Sequence, residues 1–174
     1  MQTERNNMFA HLEIDQMAQT DFHNAVAKAF RRRVTSWITR TNNDLLSFEV
    51  VYKHSPSRGR HHAGLRTVAV ENIVGSVGRC RDFDQDFCPR REEQLERWTS
   101  IDRAYYRETT LPPIELYKVA NDFFVVDGHH RVSVARAHGQ AFIDGHVIKI
   151  EVAADVTDHQ PAPSGSGSLT QTSL

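Results

Sequence analysis

The residues best placed to do chemistry lie between Phe123 and Ser133 (FFVVDGHHRVS). The apolar run at 123–126 predicts a buried strand that ends at Asp127 and Gly128, with a helix starting at His129. The first turn of a helix offers unpaired backbone N–H groups and a partial positive charge, so this spacing predicts an anion site.

The residues at and after the end of this strand have expected roles in binding. Gly128 lets a phosphate approach the backbone, and Asp127 binds a metal ion such as Mg²⁺ or accepts a proton. The expected phosphate ligands on the helix are Gly128, His130, Arg131 and Ser133. The alternative is purely local: Asp127 caps the helix, and His129, His130 and Arg131 form its solvated first turn.

A second anion-binding element is expected around Arg79. The preceding turn, residues 75–78 (GSVG), begins and ends with glycine, and such turns can point successive N–H groups at an anion. Arg79 is therefore a candidate phosphate ligand, and its alternative role is that of an arginine on a surface turn.

The region between Lys28 and Arg66 is strongly basic, with nine Lys or Arg residues against two acidic ones. Arginine-rich segments of this kind can contact nucleic-acid phosphates. The candidate contacts are Arg31, Arg32, Arg33, Arg58 and Arg60. One alternative is a solvated helix face followed by a linker. Another is a helix that serves as a packing arm, or as a dimerisation arm in a homodimer.

The periodicity of apolar residues predicts the surrounding elements. We expect an amphipathic helix over 21–39, capped by Asp21, and a short helix over 44–52. The apolar stripe of the first helix comprises Phe22, Val26, Ala29, Phe30, Val34, Trp37 and Ile38. Strands are expected at 67–73, 111–119, 123–126 and 142–152, and further helices at 91–106 and 129–138. The expected organisation is a helical extension (1–54), a basic linker (55–66), a folded domain (67–152) and a disordered tail (153–174).

The composition limits the class of protein. The chain has 174 residues, of which 39% are hydrophobic and 25% charged, which suits one domain with appendages. Two cysteines are too few for a disulfide scaffold or an all-cysteine zinc site. The absence of an apolar stretch of about 20 residues predicts a soluble protein, and we expect it in the cytoplasm.

Three segments together resemble the ParB/sulfiredoxin superfamily: IVGSVGRCRDFD at 73–84, LPPIELYKV at 111–119, and FFVVDGHHRVSVARAHG at 123–139. The resemblance covers about 67–152 and implies a small mixed sheet with two sequence boxes. The first box ends in an arginine and precedes a helix, and the second, Gly-x-x-Arg at a helix start, clamps nucleotide phosphates. Gly128 and Arg131 match the second box of ParB, and Arg79 matches the arginine of the first box. His129 stands where sulfiredoxin has its catalytic cysteine, so sulfiredoxin chemistry is excluded.

The resemblance is closest to the ParB-like free-serine kinases, whose Asp-Gly-His-x-Arg motif matches Asp127, Gly128, His129 and Arg131. It implies that Asp127 and His129 are catalytic. Asp82 and Asp84 are the nearest candidates for the upstream catalytic acid of those kinases.

The sequence therefore predicts an α+β fold with a small mixed sheet of ParB/sulfiredoxin type. The expected function is binding of a nucleoside di- or triphosphate, such as CTP, ATP or ADP, with Mg²⁺. Any chemistry would be phosphoryl transfer or nucleotide hydrolysis. The alternative is a non-enzymatic module that binds DNA or protein through the basic N-terminal segment.

Overall fold

The computed structural model describes residues 2–52 and 57–152. This part of the chain folds into four α-helices and one six-stranded sheet. The elements are α1 (Gln2–Thr39), β1 (Leu46–Ser47), α2 (Phe48–Tyr52), β2 (Ser57–Ala69), β3 (Ile73–Ser76), α3 (Leu95–Tyr106), β4 (Ile114–Val119), β5 (Asp122–Asp127), α4 (His129–Ala137) and β6 (Phe142–Val152). Short 3₁₀ turns lie at Val70–Asn72 and Glu92–Gln94. The predicted α+β class is confirmed.

The strand order in the sheet is β1-β3-β5-β4-β6-β2. Parallel pairs join β1 to β3, β3 to β5 and β4 to β6, whereas β4–β5 and β2–β6 are antiparallel. The β4–β5 hairpin turns at Ala120 and Asn121, between the two strands that the sequence predicts at 111–119 and 123–126. This hairpin puts the end of β5 beside the start of β4, where the candidate site lies.

The core lies between the sheet and α4. Leu116 and Val125 on neighbouring strands pack in the same cluster as Val132 of α4 and Phe83 from the loop before α3. A second cluster joins Phe22 and Ala25 of α1 to Trp98 of α3 and Val134 of α4. Each large apolar side chain removed from water contributes about 1.5–3 kcal/mol, so these two clusters hold α4 between the sheet and the outer helices.

The first helix is longer than predicted. It begins at Gln2, so Asp21 lies inside the helix and does not cap it. In place of a cap, the Asp21 carboxylate accepts a hydrogen bond from the Tyr106 hydroxyl at 2.5 Å. The contacts with α3 extend further towards the N-terminus, where Asp15 forms an ion pair with Arg103 at 3.1 Å.

The expected apolar stripe of α1 is buried only in part. Phe22 and Ala29 are buried, and Val26 is half-buried. The last four members of the stripe are exposed, namely Phe30, Val34, Trp37 and Ile38. The physical reason is length: a 38-residue helix extends about 57 Å, whereas its 12-residue neighbour α3 covers about 18 Å.

The segment expected to be a basic linker is instead part of a strand. From Ser57 onward it belongs to β2, which pairs along its whole length with β6. Composition rich in Gly, Ser and Arg is typical of linkers, but the long strand β6 supplies backbone partners that composition does not reveal. The strand expected at 67–73 is divided, because β2 ends at Ala69 and a 3₁₀ turn precedes β3.

The remaining elements lie close to their predicted bounds. The strand β5, the helix α4 and the strand β6 are confirmed to within about one residue, and Gly139 after α4 has the positive φ of 65° typical of a helix end. The strand β4 begins only after Pro112 and Pro113, which lack the N–H that a ladder needs. The short helix α2 begins at Phe48, after the two residues of β1, rather than at Asp44.

Two expectations concern residues outside the described part of the chain. The tail at 153–174 lies there, as do residues 55 and 56 of the expected linker. Among the described helices, none combines the length and the apolar character that a membrane crossing requires.

Candidate functional site

The site is built where β5 runs into α4. Gly128 joins the two elements with φ of 99°, a conformation that residues with a Cβ rarely adopt. A Cβ at this position would also lie 2.8 Å from the Cβ of Ile114, at the start of β4. Glycine is therefore required here both for its conformation and for the close packing of β4.

His129, the first residue of α4, is buried and tied to β3. A 2.7 Å hydrogen bond joins its Nε2 to the Ser76 hydroxyl, which also accepts the Arg79 backbone N–H at 3.1 Å. The imidazole stacks on the Phe83 ring, with centroids 6.0 Å apart and an interplanar angle of 15°. Burial and the charge of Arg79 lower the pKa of His129 to about 4. His129 is thus neutral at pH 7, and its contacts position the start of α4.

His130 is also buried, and one of its nitrogens is unsatisfied. Its ring meets the edge of Phe83 at 5.3 Å, and its Nε2 has no hydrogen-bond partner among the described residues. Burial, followed by the charges of Arg79 and Arg97, lowers the pKa of His130 to about 4. A neutral imidazole with a free nitrogen can still exchange one hydrogen bond with a ligand.

Arg131 is already engaged by the protein. Its Nη1 donates to the carbonyl oxygens of Pro112 and Pro113, the latter at 2.8 Å, and its Nη2 donates to Asp127 Oδ2 at 2.6 Å. A guanidinium has five N–H donors, so Nε and the second hydrogen on Nη2 remain for a ligand. Arg131 therefore fixes the start of β4 against α4 in addition to any role in binding.

A small cavity of about 20 Å³ lies at the N-terminal end of α4. Three arginines line it, namely Arg79, Arg97 and Arg131, against the single carboxylate of Asp127. The first bond within the helix runs from the N–H of Val132 to the carbonyl oxygen of Gly128, so the preceding N–H groups have no partner in the helix. Both the charged side chains and the helix end therefore favour an anion.

Asp127 is more exposed than the histidines beside it. Its side chain is 58% exposed and pairs with Arg131. Among the described residues, the group of three side chains with metal-ligand geometry lies elsewhere, at Asp21, Asp102 and His138, and does not include Asp127. Of the residues that the structure describes, Asp127 is the one carboxylate that lines the cavity.

Ser133 does not lie in this cavity, contrary to the expectation that it binds phosphate. It is buried, and its hydroxyl accepts a hydrogen bond from Trp98 Nε1 at 2.8 Å. It sits one turn beyond His129, on the side of α4 that packs against α3. Its role is to tie these two helices together.

The two acidic candidates before α3 have structural contacts. Asp84 is fully buried, and its Oδ1 accepts the backbone N–H groups of Asp86 and Cys88. Asp82 accepts the Arg79 Nε–H at 2.8 Å, which orients the arginine beside the cavity. Asp84 thus shapes the loop, and Asp82 positions a residue of the site.

The arginines expected to contact nucleic acid do not share one surface. Arg31 and Arg33 are exposed on α1, but Arg32 forms an ion pair with Asp86. Arg60 lies 5.7 Å from the ring centroid of Tyr117, on the sheet face opposite α4. Arg58 is part of β2, and its side chain lies outside the described part of the structure.

A cleft of about 760 Å³ adjoins the cavity and shares Ile101 and Arg131 with it. Its walls come mainly from α3, from the segment before β4 and from the end of α4. The lining includes Tyr105, Tyr106, Leu111, Pro112, His138 and Ile143. A partly aromatic cleft of this size is typical of small-molecule sites.

Sequence reasoning missed Arg97, Ser76 and this cleft. Arg97 belongs to α3, which is distant in sequence from the motif. The available signal was its spacing of four residues from Ile101, which puts both on one helix face. Nothing local indicated that this face meets the start of α4.

Comparison of the chain with known protein families, with curated proteins and with solved structures finds no match. The resemblance to the ParB/sulfiredoxin superfamily therefore remains an expectation from the sequence.

Proposed function

We propose that this protein binds a nucleotide, with its phosphates at the N-terminal end of α4. The observation that carries the proposal is the convergence of Arg79, Arg97 and Arg131 on a helix start. The cavity there is also lined by His130, whose Nε2 has no hydrogen-bond partner within the described part of the chain. Arginine forks and unpaired helix N–H groups are the standard ligands of phosphate oxygens.

From the dimensions of the cavity and the cleft we infer separate positions for the parts of the ligand. A cavity of about 20 Å³ admits roughly one oxygen atom, so a phosphate would insert one oxygen and keep the others at the surface beside Arg79. The adjoining cleft of about 760 Å³ would hold the nucleoside, against Tyr105 and Leu111. Arg131 belongs to both, so it would contact the phosphate nearest the sugar.

The ion pair between Asp127 and Arg131 is expected to open when a phosphate binds. A phosphate competes for the same Nη2 that now donates to Asp127 at 2.6 Å. The released carboxylate would then hold Mg²⁺ together with phosphate oxygens, because both are hard oxygen ligands. As the exposed carboxylate of the lining, Asp127 is also the residue proposed to accept a proton in phosphoryl transfer or hydrolysis.

His129 differs from Asp127 in being buried. The side chain is 3% exposed, and its Nε2 is engaged by Ser76. We therefore assign His129 to positioning the first turn of α4.

The test is a thermal-shift and calorimetric titration with CTP, ATP, GTP, ADP and inorganic phosphate, each with and without Mg²⁺. Ligand at about 100 times its Kd should stabilise the protein by about 2.7 kcal/mol. We expect one nucleotide to bind more tightly than phosphate alone. If none of them binds, the proposal is wrong.

Variants locate the bound nucleotide. Arg97→Gln is preferable to a change at Arg131, because Arg131 also holds two carbonyl oxygens of the chain. We expect Arg97→Gln to weaken nucleotide binding about tenfold or more. The control is Arg81→Gln, which removes an exposed arginine from the loop between β3 and α3. Arg81 is not among the residues that line the cavity. Equal affinity in the two variants would place the nucleotide elsewhere.

A further inference from the structure

A second group of polar side chains lies between α1, α3 and the end of α4. It consists of Asp21, Asp102 and His138, each of which places one potential ligand atom within 4.8 Å of the other two. The three residues come from elements far apart in the sequence, so only the tertiary fold brings them together. This group does not overlap the lining of the cavity at Asp127.

The buried carboxylate of Asp102 would be stabilised by a cation. Its side chain is fully buried, and its Oδ1 lies 2.6 Å from His138 Nε2. The other oxygen, Oδ2, is buried without a hydrogen-bond partner among the described residues. An unsatisfied buried carboxylate oxygen is costly unless it is protonated or neutralised by a cation.

The neighbouring groups add negative charge beside Asp102 and hold the three side chains in place. The carboxylate of Asp21 adds a second negative charge beside Asp102, and the Tyr106 hydroxyl orients it through a 2.5 Å hydrogen bond. Tyr105 stacks on the imidazole of His138, with ring centroids 4.0 Å apart at 18°. Hydrogen bonds and ring contacts of this kind orient the ligand side chains of metal sites.

We propose that Asp21, Asp102 and His138 form a binding site for a divalent first-row transition metal ion, such as Zn²⁺ or Mn²⁺. Two carboxylates and one imidazole suit these ions, whereas an imidazole ligand disfavours Mg²⁺ and Ca²⁺. The ion would enter between Asp102 and His138, replacing their direct hydrogen bond. The cleft of about 760 Å³ is lined by His138, Tyr105 and Tyr106, so an ion from the solvent would reach the site through this cleft.

The test uses the full chain, stripped with a chelator and free of nucleotide. Titration with Zn²⁺, Mn²⁺ and Mg²⁺ is followed by calorimetry and by Tm. We expect one high-affinity equivalent of Zn²⁺ or Mn²⁺, a higher Tm on binding, and at least tenfold weaker binding of Mg²⁺. Absence of binding, or equal affinity for Mg²⁺ and Zn²⁺, would overturn the proposal.

Two variants of α1 show where the ion sits. Asp21→Asn keeps an oxygen that can accept from Tyr106 but removes the charge, and should weaken Zn²⁺ binding tenfold or more. Asp15→Asn removes another α1 carboxylate that contacts α3, through Arg103, and should bind Zn²⁺ as the wild type does. If Asp21→Asn binds Zn²⁺ with unchanged affinity, the ion binds elsewhere, for example at other histidines, and the proposed site is wrong. Because the titration contains no nucleotide, its result is independent of the proposed nucleotide function.

Discussion

At the level of single residues, Gly128 tolerates a side chain less well than Gly139, the glycine at the other end of α4. It combines a φ of 99° with direct packing against Ile114, whereas Gly139, at φ of 65°, faces open space. Both positions penalise a Cβ, but only one of them also causes a steric overlap.

The Gly128→Ala variant should therefore lose much more stability than Gly139→Ala. Left-handed backbone alone costs about 1–2 kcal/mol, which we expect for Gly139→Ala. The overlap with Ile114 should bring the loss in Gly128→Ala to about 3 kcal/mol or more. Urea denaturation measures both values, and equal losses would contradict the packing of Gly128 on β4.

The buried histidines predict a specific dependence of stability on pH. Burial lowers the pKa of both His129 and His130 to about 4, whereas an unfolded histidine titrates near 6.5. Between these values the unfolded chain binds more protons than the folded one, so the free energy of unfolding falls as the pH decreases from about 6.5 to about 4. Each histidine should contribute on the order of 1–3 kcal/mol to this loss.

Substitution separates the contribution of His130 from that of other groups. His130→Gln should lose less stability than the wild type between pH 6.5 and pH 4.5, measured by urea denaturation. Burial raises the pKa of Asp84 and Asp102, which favours the folded state in acid and acts in the opposite direction. The control is His146→Gln at an exposed position, which should keep the wild-type pH dependence. An unchanged slope in His130→Gln would mean that His130 is not buried.

At the level of elements, the contact between α3 and α4 depends on the Trp98–Ser133 hydrogen bond. Both side chains are buried, so Ser133→Ala would leave the indole N–H without an acceptor. We expect a loss of about 1–3 kcal/mol in the free energy of unfolding. Because Ser133 lies outside the cavity at Gly128, nucleotide affinity should not change. The exposed Ser100→Ala on α3 is the matched control for stability.

The elements also show what the sequence could predict. The strand β5 and the helix α4 have strong local signals, namely an apolar run, an Asp-Gly turn and a terminal glycine, and both were predicted almost to the residue. Part of α1 packs along α3, and the strand β2 pairs with β6, and neither distant partner leaves a signal in the local sequence. Pairing with β6 therefore overrode composition in β2.

The candidate site divides in the same way. The sequence located Asp127, Gly128, His129 and Arg131 at a helix start, as the structure has them. It did not indicate that Phe83 and Ser76 bury His129, or that Arg131 holds the carbonyl oxygens before β4. These contacts join residues that are 18 to 53 positions apart, beyond the reach of any helix or strand period.

At the level of the whole molecule, the two tryptophans report on opposite environments. Trp98 is fully buried between α1 and α4, whereas Trp37 is 82% exposed near the end of α1. Beside Trp37, the side chains of Phe30, Val34 and Ile38 form an exposed apolar surface, which is the C-terminal part of the apolar stripe expected from the sequence. Apolar side chains exposed together on one helix contribute no stability to the isolated chain.

Tryptophan fluorescence tests whether this part of α1 is accessible in solution. We expect acrylamide to quench Trp37 strongly, so that Trp37→Phe leaves only the blue-shifted, weakly quenched emission of Trp98. The reciprocal variant, Trp98→Phe, should keep the red-shifted, accessible emission, at a cost in stability because the cluster with Phe22 loses packing. Shielding of Trp37 in the wild type would contradict the exposure of this surface in the single chain. If Trp37 is shielded, measuring the quenching at several protein concentrations identifies the cause. Shielding by other copies of the chain decreases on dilution, whereas shielding by the chain's own residues does not.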